Sequence, residues 1–354
     1  MALISLRQLL DHAGEHGYGM PAFNITNLET LQAVMAAADK TNSPVLLQAS
    51  RSARKYIDDT ILKHLFMGAI ERYAHLPVCL HLDHGNDLST CSSAMDFGFS
   101  SVMMDGSLMA DAKTPSDFDY NAEVTSNVVE LAHSRGISVE GEIGVLGSLE
   151  TGEGEKEDGH GFDGKLGKDM LLTDPEEAER FVRATGIDAL AVAVGTSHGA
   201  YKFSRRPSGD ILAMSVIEKI HERLPNTHLV MHGASSVPEE LQQLINAHGG
   251  FIPETFGVPL EEVERGIKSG VRKINIDTDI RMAMTGSIRK FLDENRSSFD
   301  VRAILSPGRE RATNLCAKRN EIFGCAGMAD KIKPVSLQTM ADRYAGGLYD
   351  TTKG

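Results

Sequence analysis

Short apolar runs alternate with amphipathic stretches along most of this chain, and the pattern predicts alternating strands and helices. The apolar runs are continuous, which is typical of strands buried on both faces of a parallel sheet. The predicted strands span residues 21–24, 44–50, 77–83, 100–106, 137–142, 188–195, 227–233 and 271–277. Helices are predicted over 5–16, 31–38, 58–74, 87–96, 116–135, from 173, over 208–223 and 238–247, briefly from 258, and over 279–293.

The order of these elements favours one α/β domain with eight strand–helix units. Eight units in about 300 residues fit a closed (β/α)8 TIM barrel better than an open doubly wound sheet. No GxGxxG motif follows the first strand, so a dinucleotide-binding fold has no specific support. We therefore predict a barrel over residues 1–299 and a C-terminal helical extension over 300–354, packed on the barrel or at a subunit interface.

One segment, residues 144–168, interrupts the strand–helix rhythm. It is rich in Gly, Glu and Lys and poor in apolar residues, and it is too long for an ordinary connection. Either a functional lid over the site or a disordered insert would explain it.

Composition and charge narrow the class of protein. The chain has 354 residues, of which 41% are hydrophobic, and a net charge of −13, which argues against non-specific nucleic-acid binding. Its four cysteines form no CxxC pair and are interpreted as buried free thiols of a reducing compartment. There is no signal-peptide pattern and no apolar run long enough to span a membrane, so we expect a cytoplasmic protein.

Polar and ionisable residues cluster where the predicted strands end. The carboxyl ends of barrel strands meet at one face, where the following loops build the active site. We therefore expect these side chains to converge on one mouth. The residues at these ends are Asn24, Ser50, Asp83, His84, Asp105, Glu142, His198, His232, Asn275 and Asp277.

Three of these strand ends carry a histidine followed directly by glycine. They are His84, His198 and His232, after the third, sixth and seventh strands. Three neutral imidazoles that leave one coordination position open are typical of a catalytic zinc site. Glycine at the next position lets a substrate or another backbone approach closely.

Two carboxylates at the same rim belong to this candidate metal site. Asp105 and Glu142 could hold the imidazoles in place or act as alternative metal ligands. Helix capping is the competing explanation for Asp105.

Two further stretches have the composition of anion sites. Residues 195–202 place glycine amides and Lys202 after the sixth strand, and residues 233–238 place glycine and serines at a predicted helix start. Unpaired N–H groups and the helix dipole favour anions there, and barrels often bind phosphate at these loops.

Read together, these motifs resemble class II, metal-dependent fructose-bisphosphate aldolases. The resemblance runs through the barrel in the segments PAFN, LLQAS, HLDHG, SVMMDGS, VEGEIG, VGTSHGAYK, MHGASS and KINIDTDIR. The stretch 323–334 resembles the longer bacterial form associated with carbon-fixation operons.

The resemblance implies a reaction and roles for the site residues. It implies reversible aldol cleavage of fructose 1,6-bisphosphate to dihydroxyacetone phosphate and glyceraldehyde 3-phosphate. His84, His198 and His232 would bind Zn²⁺, with Asp105 and Glu142 as further metal-site carboxylates, and Asp83 would carry the proton of the C4 hydroxyl. A loop glutamate would transfer the second proton; Glu150 is our candidate, with Glu153, Glu155 and Glu157 as competitors.

The resemblance also implies the substrate contacts. Gly199, Lys202, Gly233 and Ser235 would hold the dihydroxyacetone-phosphate end, with Asn275, Asp277 and Thr278 beside them, and Ser50 and Arg281 would reach the other phosphate. Asn24, Ala234 and Ile276 complete the expected substrate-binding set. Related tagatose-bisphosphate aldolases have a small residue at the position of Asp277, so this aspartate favours the fructose substrate. A monovalent cation beside the zinc and a homodimer or homotetramer are further expectations.

Three other functions remain open from the sequence. A tagatose-bisphosphate aldolase would share most of these motifs. A zinc-dependent barrel hydrolase would use the same imidazoles, but the first strand lacks the His-x-His pair that such enzymes usually carry, and the anion stretches would have no purpose. A metabolite-binding or scaffold protein with a structural metal would normally close its site with four protein ligands.

Overall fold

A closed barrel of eight parallel strands forms the centre of the molecule, as the sequence pattern predicts. The computed structural model describes residues 3–154, 161–162, 164–200, 203–204, 207 and 213–349. The strands pair in chain order, and β1 pairs with both β2 and β8, which closes the barrel. They are β1 Met20–Asn24, β2 Val45–Ser50, β3 Val78–Gly85, β4 Ser101–Met104, β5 Ser138–Ile143, β6 Ala189–Val192, β7 His228–Met231 and β8 Val271–Ile276.

Helices surround this barrel. The first seven in the described residues are α1 Leu6–His16, α2 Leu28–Thr41, α3 Arg51–Ile57, α4 Asp59–Arg72, α5 Leu88–Asp96, α6 Phe118–His133 and α7 Lys168–Leu171. The others are α8 Pro175–Thr185, α9 Met214–Arg223, α10 Glu239–Ala247, α11 Leu260–Lys268, α12 Thr278–Glu294, α13 Val301–Ile322 and α14 Leu337–Ala345, with a 3₁₀ turn over Ala329–Lys331.

The predicted elements lie where the structure has them, but most of their ends differ by up to about three residues, and β6 ends at Val192 where 195 was predicted. Helix α3 was not predicted, because its short charged sequence has no apolar period; it starts where the Ser50 hydroxyl accepts the Ala53 N–H. The predicted helix over 208–223 is described only from residue 213, and α9 begins at Met214. Strand β3 runs two residues further than predicted, to Gly85, because its backbone bulges at its end.

The interior of the barrel is a mixed core. Part of it is filled by small and flexible apolar side chains such as Ala22, Met103 and Ala191. A layer of four fully buried polar residues interrupts the otherwise apolar strands: Gln48, His81, Glu140 and Lys273. Since buried polar groups need partners, this layer predicts a hydrogen-bonded network directly beneath the mouth.

The segment that interrupts the rhythm is folded where the structure describes it. Ser148 donates its N–H to the Glu153 carbonyl, and Gly154 donates to Gly164. Leu166 packs with Leu108 in a small apolar cluster at the rim. These described parts are therefore not a disordered insert, and residues 155–160 and 163 lie outside the description.

The residues after 299 contact the barrel through α13, through α14 and through the segment between them. Helix α13 lies against α2 and α12, with the Asn320 amide donating to the Thr41 hydroxyl at 3.0 Å. Helix α14 covers the amino-terminal end, where the Tyr344 hydroxyl donates to the buried Asp188 carboxylate at 2.7 Å.

All four cysteines are buried and unpaired, which confirms their interpretation as free thiols. Among the described helices, none combines the length and the apolar content that crossing a bilayer would require.

Candidate metal and phosphate site

A bulge at the end of β3 turns two consecutive side chains into the barrel mouth. Successive residues of a regular strand point to opposite faces, yet Asp83 and His84 both contact groups inside the mouth. The register between β3 and β4 shifts between Leu82 and Gly85, and His84 adopts a φ of 50°, in the left-handed region. Such a conformation costs about 1–3 kcal/mol and tends to persist where function requires it.

Gly85 makes this bulge sterically allowed. A Cβ at this position would lie 2.7 Å from the Met103 carbonyl oxygen and 2.6 Å from the Cys91 sulfur. Only glycine therefore lets β3 lie against β4 and α5 while His84 faces the mouth.

The three histidines predicted as metal ligands converge on one point. One ring nitrogen from each of His84, His198 and His232 lies within 4.8 Å of the others. Nε2 of His84 and Nδ1 of His232 are 3.1 Å apart. Nitrogens this close, on rings from three separate strand ends, can share a single tetrahedral ion.

The two predicted carboxylates lie against the first of these rings. The Asp105 carboxylate is 2.9 Å from Nδ1 of His84, and the Glu142 carboxylate is 3.8 Å from it. Burial alone would lower the pKa of His84, but the bond to Asp105 and the charges of Asp83, Asp105 and Glu142 raise it to about 10. This excess of buried negative charge favours a bound cation, and a metal ion would take the place of the proton.

A buried glutamate fixes the orientation of the third histidine. Glu140 accepts a hydrogen bond from Nε2 of His232 at 2.9 Å, which leaves Nδ1 to face the other imidazoles. Its second carboxylate oxygen lies 2.9 Å from the ammonium of Lys273, which is fully buried. Burial and the nearby Lys273 charge lower the pKa of His232 well below its usual value, so the ring stays neutral, as a metal ligand must.

Asp83 is surrounded by amide donors. Its carboxylate oxygens accept from Asn24 at 3.1 Å, Gln48 at 3.2 Å and Asn275 at 3.3 Å. Burial opposes ionisation, but the charges of His84 and Lys273 outweigh it and lower the pKa of Asp83. The carboxylate is therefore ionised, which is the form that a general base must have.

The loop after β7 presents unpaired backbone donors. The N–H groups of Gly233, Ala234 and Ser235, all buried, have no hydrogen-bond partner among the described residues. Gly233 has a φ of 62°, and a Cβ there would lie 2.7 Å from the Ser197 carbonyl oxygen, so glycine lets the loops after β6 and β7 touch. Consecutive buried donors of this kind are suited to an anion.

The remaining predicted substrate residues lie at the carboxyl ends of β2 and β8. Ser50 is buried and caps α3, opposite Asp83 in the strand register. Asp277 forms an ion pair with Arg281 at 2.6 Å. Both side chains are partly exposed at the rim of the mouth. Ile276 and Thr278, on either side of Asp277, are buried.

The predicted loop residues are only partly described. Gly199 has a φ of 79°, and among the described residues no atom lies within 4 Å of where its Cβ would be. The Glu150 carboxylate accepts from the Ser204 N–H at 2.9 Å and from its hydroxyl, at the exposed edge of the mouth. Glu153 is exposed. Lys202, Glu155 and Glu157 lie outside the described residues.

Four residues of this site were missed from the sequence alone: Gln48, His81, Glu140 and Lys273. Each is a polar residue inside an apolar strand, two or more residues before the strand end, and this interruption is the signal that could have found them. His81, to which the sequence pattern gives no role, bonds Ser101 through Nδ1, and its Nε2 lies 3.4 Å from Glu140. Burial and the Lys273 charge lower its pKa to about 3, so it is a neutral member of the network.

The donor set fits zinc better than the harder cations. Three imidazole nitrogens match the ligand preference of zinc, whereas Mg²⁺ and Ca²⁺ prefer oxygen ligands throughout. Among the described groupings, a second set shares His84 and adds Asp105 and Glu142.

Comparison with known proteins gives a consistent result. The family model described as fructose-bisphosphate aldolase class-II matches residues 4–328. A relative from Nostoc sp. named fructose-bisphosphate aldolase is 61% identical over 347 residues, covering 98% of this chain and 97% of its own length. One from Synechocystis sp. named fructose-bisphosphate aldolase class 2 is 59% identical over 347 residues, with the same coverage. The crystal structure of the YdjI aldolase from Escherichia coli K12 superimposes with a TM-score of 0.68 at 25% identity, covering 92% of this chain and 99% of that one.

Proposed function

This chain belongs to the class II fructose-bisphosphate aldolase family, and we propose that it catalyses the reversible aldol cleavage of fructose 1,6-bisphosphate. The observation that carries the proposal is the convergence of three imidazoles beside an ionised carboxylate and a row of unpaired amides. These are the three parts that the reaction needs: an electrophile site, a base and a phosphate anchor.

His84, His198 and His232 would hold one zinc ion, with Asp105 and Glu142 supporting His84. When bound, zinc would supply Lewis-acid polarisation of the substrate carbonyl. Glu140 keeps His232 in the tautomer that offers Nδ1 to the ion.

Asp83 would accept the proton of the C4 hydroxyl as the C3–C4 bond breaks. Its amide neighbours donate to the carboxylate and so stabilise its ionised form, which is the form a general base requires. A loop glutamate would return a proton to the carbon of the dihydroxyacetone product. Glu150 remains our candidate, and it would have to leave Ser204 to reach the mouth.

The amides of Gly233, Ala234 and Ser235 would bind the phosphate of the dihydroxyacetone end, with Gly199 and Lys202 across the gap. Asn24, Asn275, Ile276, Asp277 and Thr278 would line the sugar, and Ser50 and Arg281 would bind the far phosphate. Two phosphates held at opposite ends would place C3–C4 between the metal and Asp83.

A coupled assay of the zinc-loaded protein tests this proposal directly. We expect cleavage of fructose 1,6-bisphosphate to release dihydroxyacetone phosphate at a rate well above the same protein without metal. A zinc-loaded, folded protein that does not cleave the sugar would remove the proposed function and favour a scaffold with a structural metal.

Asp277 should discriminate between sugar epimers. We expect Asp277→Ala to lower kcat/KM for fructose 1,6-bisphosphate by about 10–100-fold while changing the rate on tagatose 1,6-bisphosphate much less, because a lost hydrogen bond costs about 1–3 kcal/mol. Steady-state assays on both epimers measure this ratio. Arg281→Lys is the control, because it retains the cation beside Asp277. Equal wild-type rates on both epimers would remove the role given to Asp277.

Replacing Glu140 should weaken metal binding without unfolding the barrel. We expect Glu140→Gln to lower zinc affinity by about 10–100-fold, since the neutral amide no longer fixes the His232 tautomer. Competition with a zinc indicator dye gives the affinity, and circular dichroism reports the fold. A Glu140→Gln protein with wild-type zinc affinity would show that Glu140 serves only to pair Lys273.

The proposal extends to the setting of the enzyme. We place it in the cytoplasm, acting in glycolysis, gluconeogenesis or the Calvin cycle, without nucleic-acid or membrane partners. We also propose that the chain divides into a barrel over 1–299 and an extension over 300–354. The protein would assemble as a homodimer or homotetramer, with the extension at the subunit contact. The strongly exposed Phe299 and Val301 at the start of the extension support such a contact. Light scattering would give the oligomeric state, and assays with and without potassium would test for a monovalent cation.

A further inference from the structure

The loop after β7 contains a strained residue outside the catalytic groups. Val237 adopts a φ of 47°, which is rare for any residue other than glycine and is strongly disfavoured for a β-branched side chain. Its side chain is buried against Leu241 and Met282. Such a backbone conformation persists only where surrounding contacts enforce it.

A single buried carboxylate enforces this conformation. Asp279, on the first turn of α12, is completely buried. One of its oxygens accepts the Val237 N–H at 2.9 Å, and the other accepts both the N–H and the hydroxyl of Ser236, at 3.2 and 3.1 Å. The two amides that precede α10 therefore both donate to this one buried side chain.

An arginine from the C-terminal extension completes the arrangement. Arg319, on α13, is also buried, and one guanidinium nitrogen donates to Asp279 at 2.9 Å and to the Ser236 hydroxyl at 2.7 Å. A carboxylate buried without this cation would pay a large desolvation cost. The extension thus neutralises the residue that shapes a loop of the active site.

These contacts determine the conformation of the three residues that precede Ser236 in the loop. Since Ser236 and Val237 donate to Asp279, the chain turns so that Gly233, Ala234 and Ser235 keep their N–H groups unpaired among the described residues. Gly257 supports the other side of the turn: a Cβ there would lie 2.5 Å from the Ser235 carbonyl oxygen. Contacts on both sides of the turn therefore hold these three donors in place.

We propose that Asp279 and Arg319 are positioning residues that pre-organise the Gly233–Ser235 amides for the phosphate of the substrate. The proposal rests on the proposed function for the identity of that phosphate. Neither residue reaches the mouth, so both act through the loop. They should contribute mainly to binding of the phosphate group and little to metal binding, because His232 is fixed independently by Glu140 and Thr196.

Asp279→Asn is the primary test. The asparagine keeps the size of the side chain, but its NH₂ group would face the Ser236, Val237 and Arg319 donors in place of a carboxylate oxygen that accepts from them. In the zinc-loaded protein we expect KM for fructose 1,6-bisphosphate to rise about tenfold, with kcat changed less than about threefold and zinc content unchanged. Calorimetric binding of inorganic phosphate should weaken by a similar factor. Arg319→Met should give the same pattern, Arg319→Lys should restore part of the affinity, and the double variant should lose less than the sum of the single losses.

Asp188→Asn provides the matched control. Asp188 is equally buried and accepts the Val139 N–H, His133 and Tyr344, but it lies at the amino-terminal end of the barrel. We expect it to lower the melting temperature and leave both KM and phosphate affinity unchanged.

The outcomes separate the alternatives. If Asp279→Asn lowers the melting temperature while KM and phosphate affinity stay at wild-type values, the pair is purely structural and the proposal is overturned. If Asp188→Asn raises KM to the same extent, the effect is not specific to the loop, and the proposal is again overturned. If the wild-type protein binds phosphate but does not cleave the sugar, weaker phosphate binding by Asp279→Asn still supports the loop assignment while the proposed function fails.

Discussion

Removing the metal should abolish cleavage of fructose 1,6-bisphosphate, and adding zinc should restore it. Dialysis against EDTA is expected to lower kcat by about 10³-fold or more, because the three imidazoles would then lack the Lewis acid that polarises the substrate carbonyl. A coupled assay before and after stoichiometric zinc, with metal content measured in parallel, checks this result. Circular dichroism of the depleted protein separates lost chemistry from lost fold.

Borohydride trapping is the control for the alternative chemistry. The only fully buried lysine among the described residues is Lys273, and its ammonium is held by Glu140 and Asn275. A lysine nitrogen engaged by a carboxylate and an amide oxygen in this way is not positioned as the nucleophile of a Schiff base. We expect borohydride with substrate to leave activity intact. Inactivation with a covalent adduct would overturn the metal mechanism.

Replacing Asp83 by Asn should abolish most of the turnover while leaving the substrate bound. General base catalysis contributes about 10²–10⁴-fold, and we expect kcat to fall within that range with KM changed only a few-fold. The amide cannot take the C4 hydroxyl proton, whereas the three imidazoles are untouched, so zinc content should stay near one ion per chain. Steady-state kinetics and metal analysis on the same preparation measure both quantities.

Asp87→Asn is the matched control for Asp83. Asp87 lies on the same loop but caps α5, where its carboxylate accepts the Thr90 N–H at 2.7 Å. Asparagine is an equally good cap, so stability and activity should both stay close to wild type. A comparable loss of kcat in Asp87→Asn, or full activity in Asp83→Asn, would contradict the role given to Asp83.

Much of the barrel could be predicted because each strand is a continuous apolar run bounded by turn residues. Strand β8, for example, was expected over 271–277 and spans Val271–Ile276. The convergence of the histidines followed from the same reasoning, because parallel strands in a barrel share one carboxyl end. Short elements such as α3 escaped prediction because seven residues with several charges carry no usable period.

The network beneath the mouth could not be predicted from spacing. Glu140 and Lys273 are 133 positions apart in the chain, and only the closure of β5 and β8 around one interior brings them within 2.9 Å. The same holds for Arg319 and Asp279, where the packing of α13 against α12 makes the contact. Local sequence patterns report periodicity and turns, and they contain no information on such pairings.

By itself, the sequence of this protein determined the order of strands and helices, the end of the barrel that carries the chemistry and the residue types available there. Those features follow from the alternation of apolar and polar positions, which acts over a few residues at a time. Only the tertiary structure decided which oxygen faces which nitrogen: the bulge that turns Asp83 and His84 inward together, the glutamate behind His232, and the carboxylate behind the phosphate loop. These arrangements depend on how buried charges find partners across the closed barrel, and that is a property of the whole packed molecule.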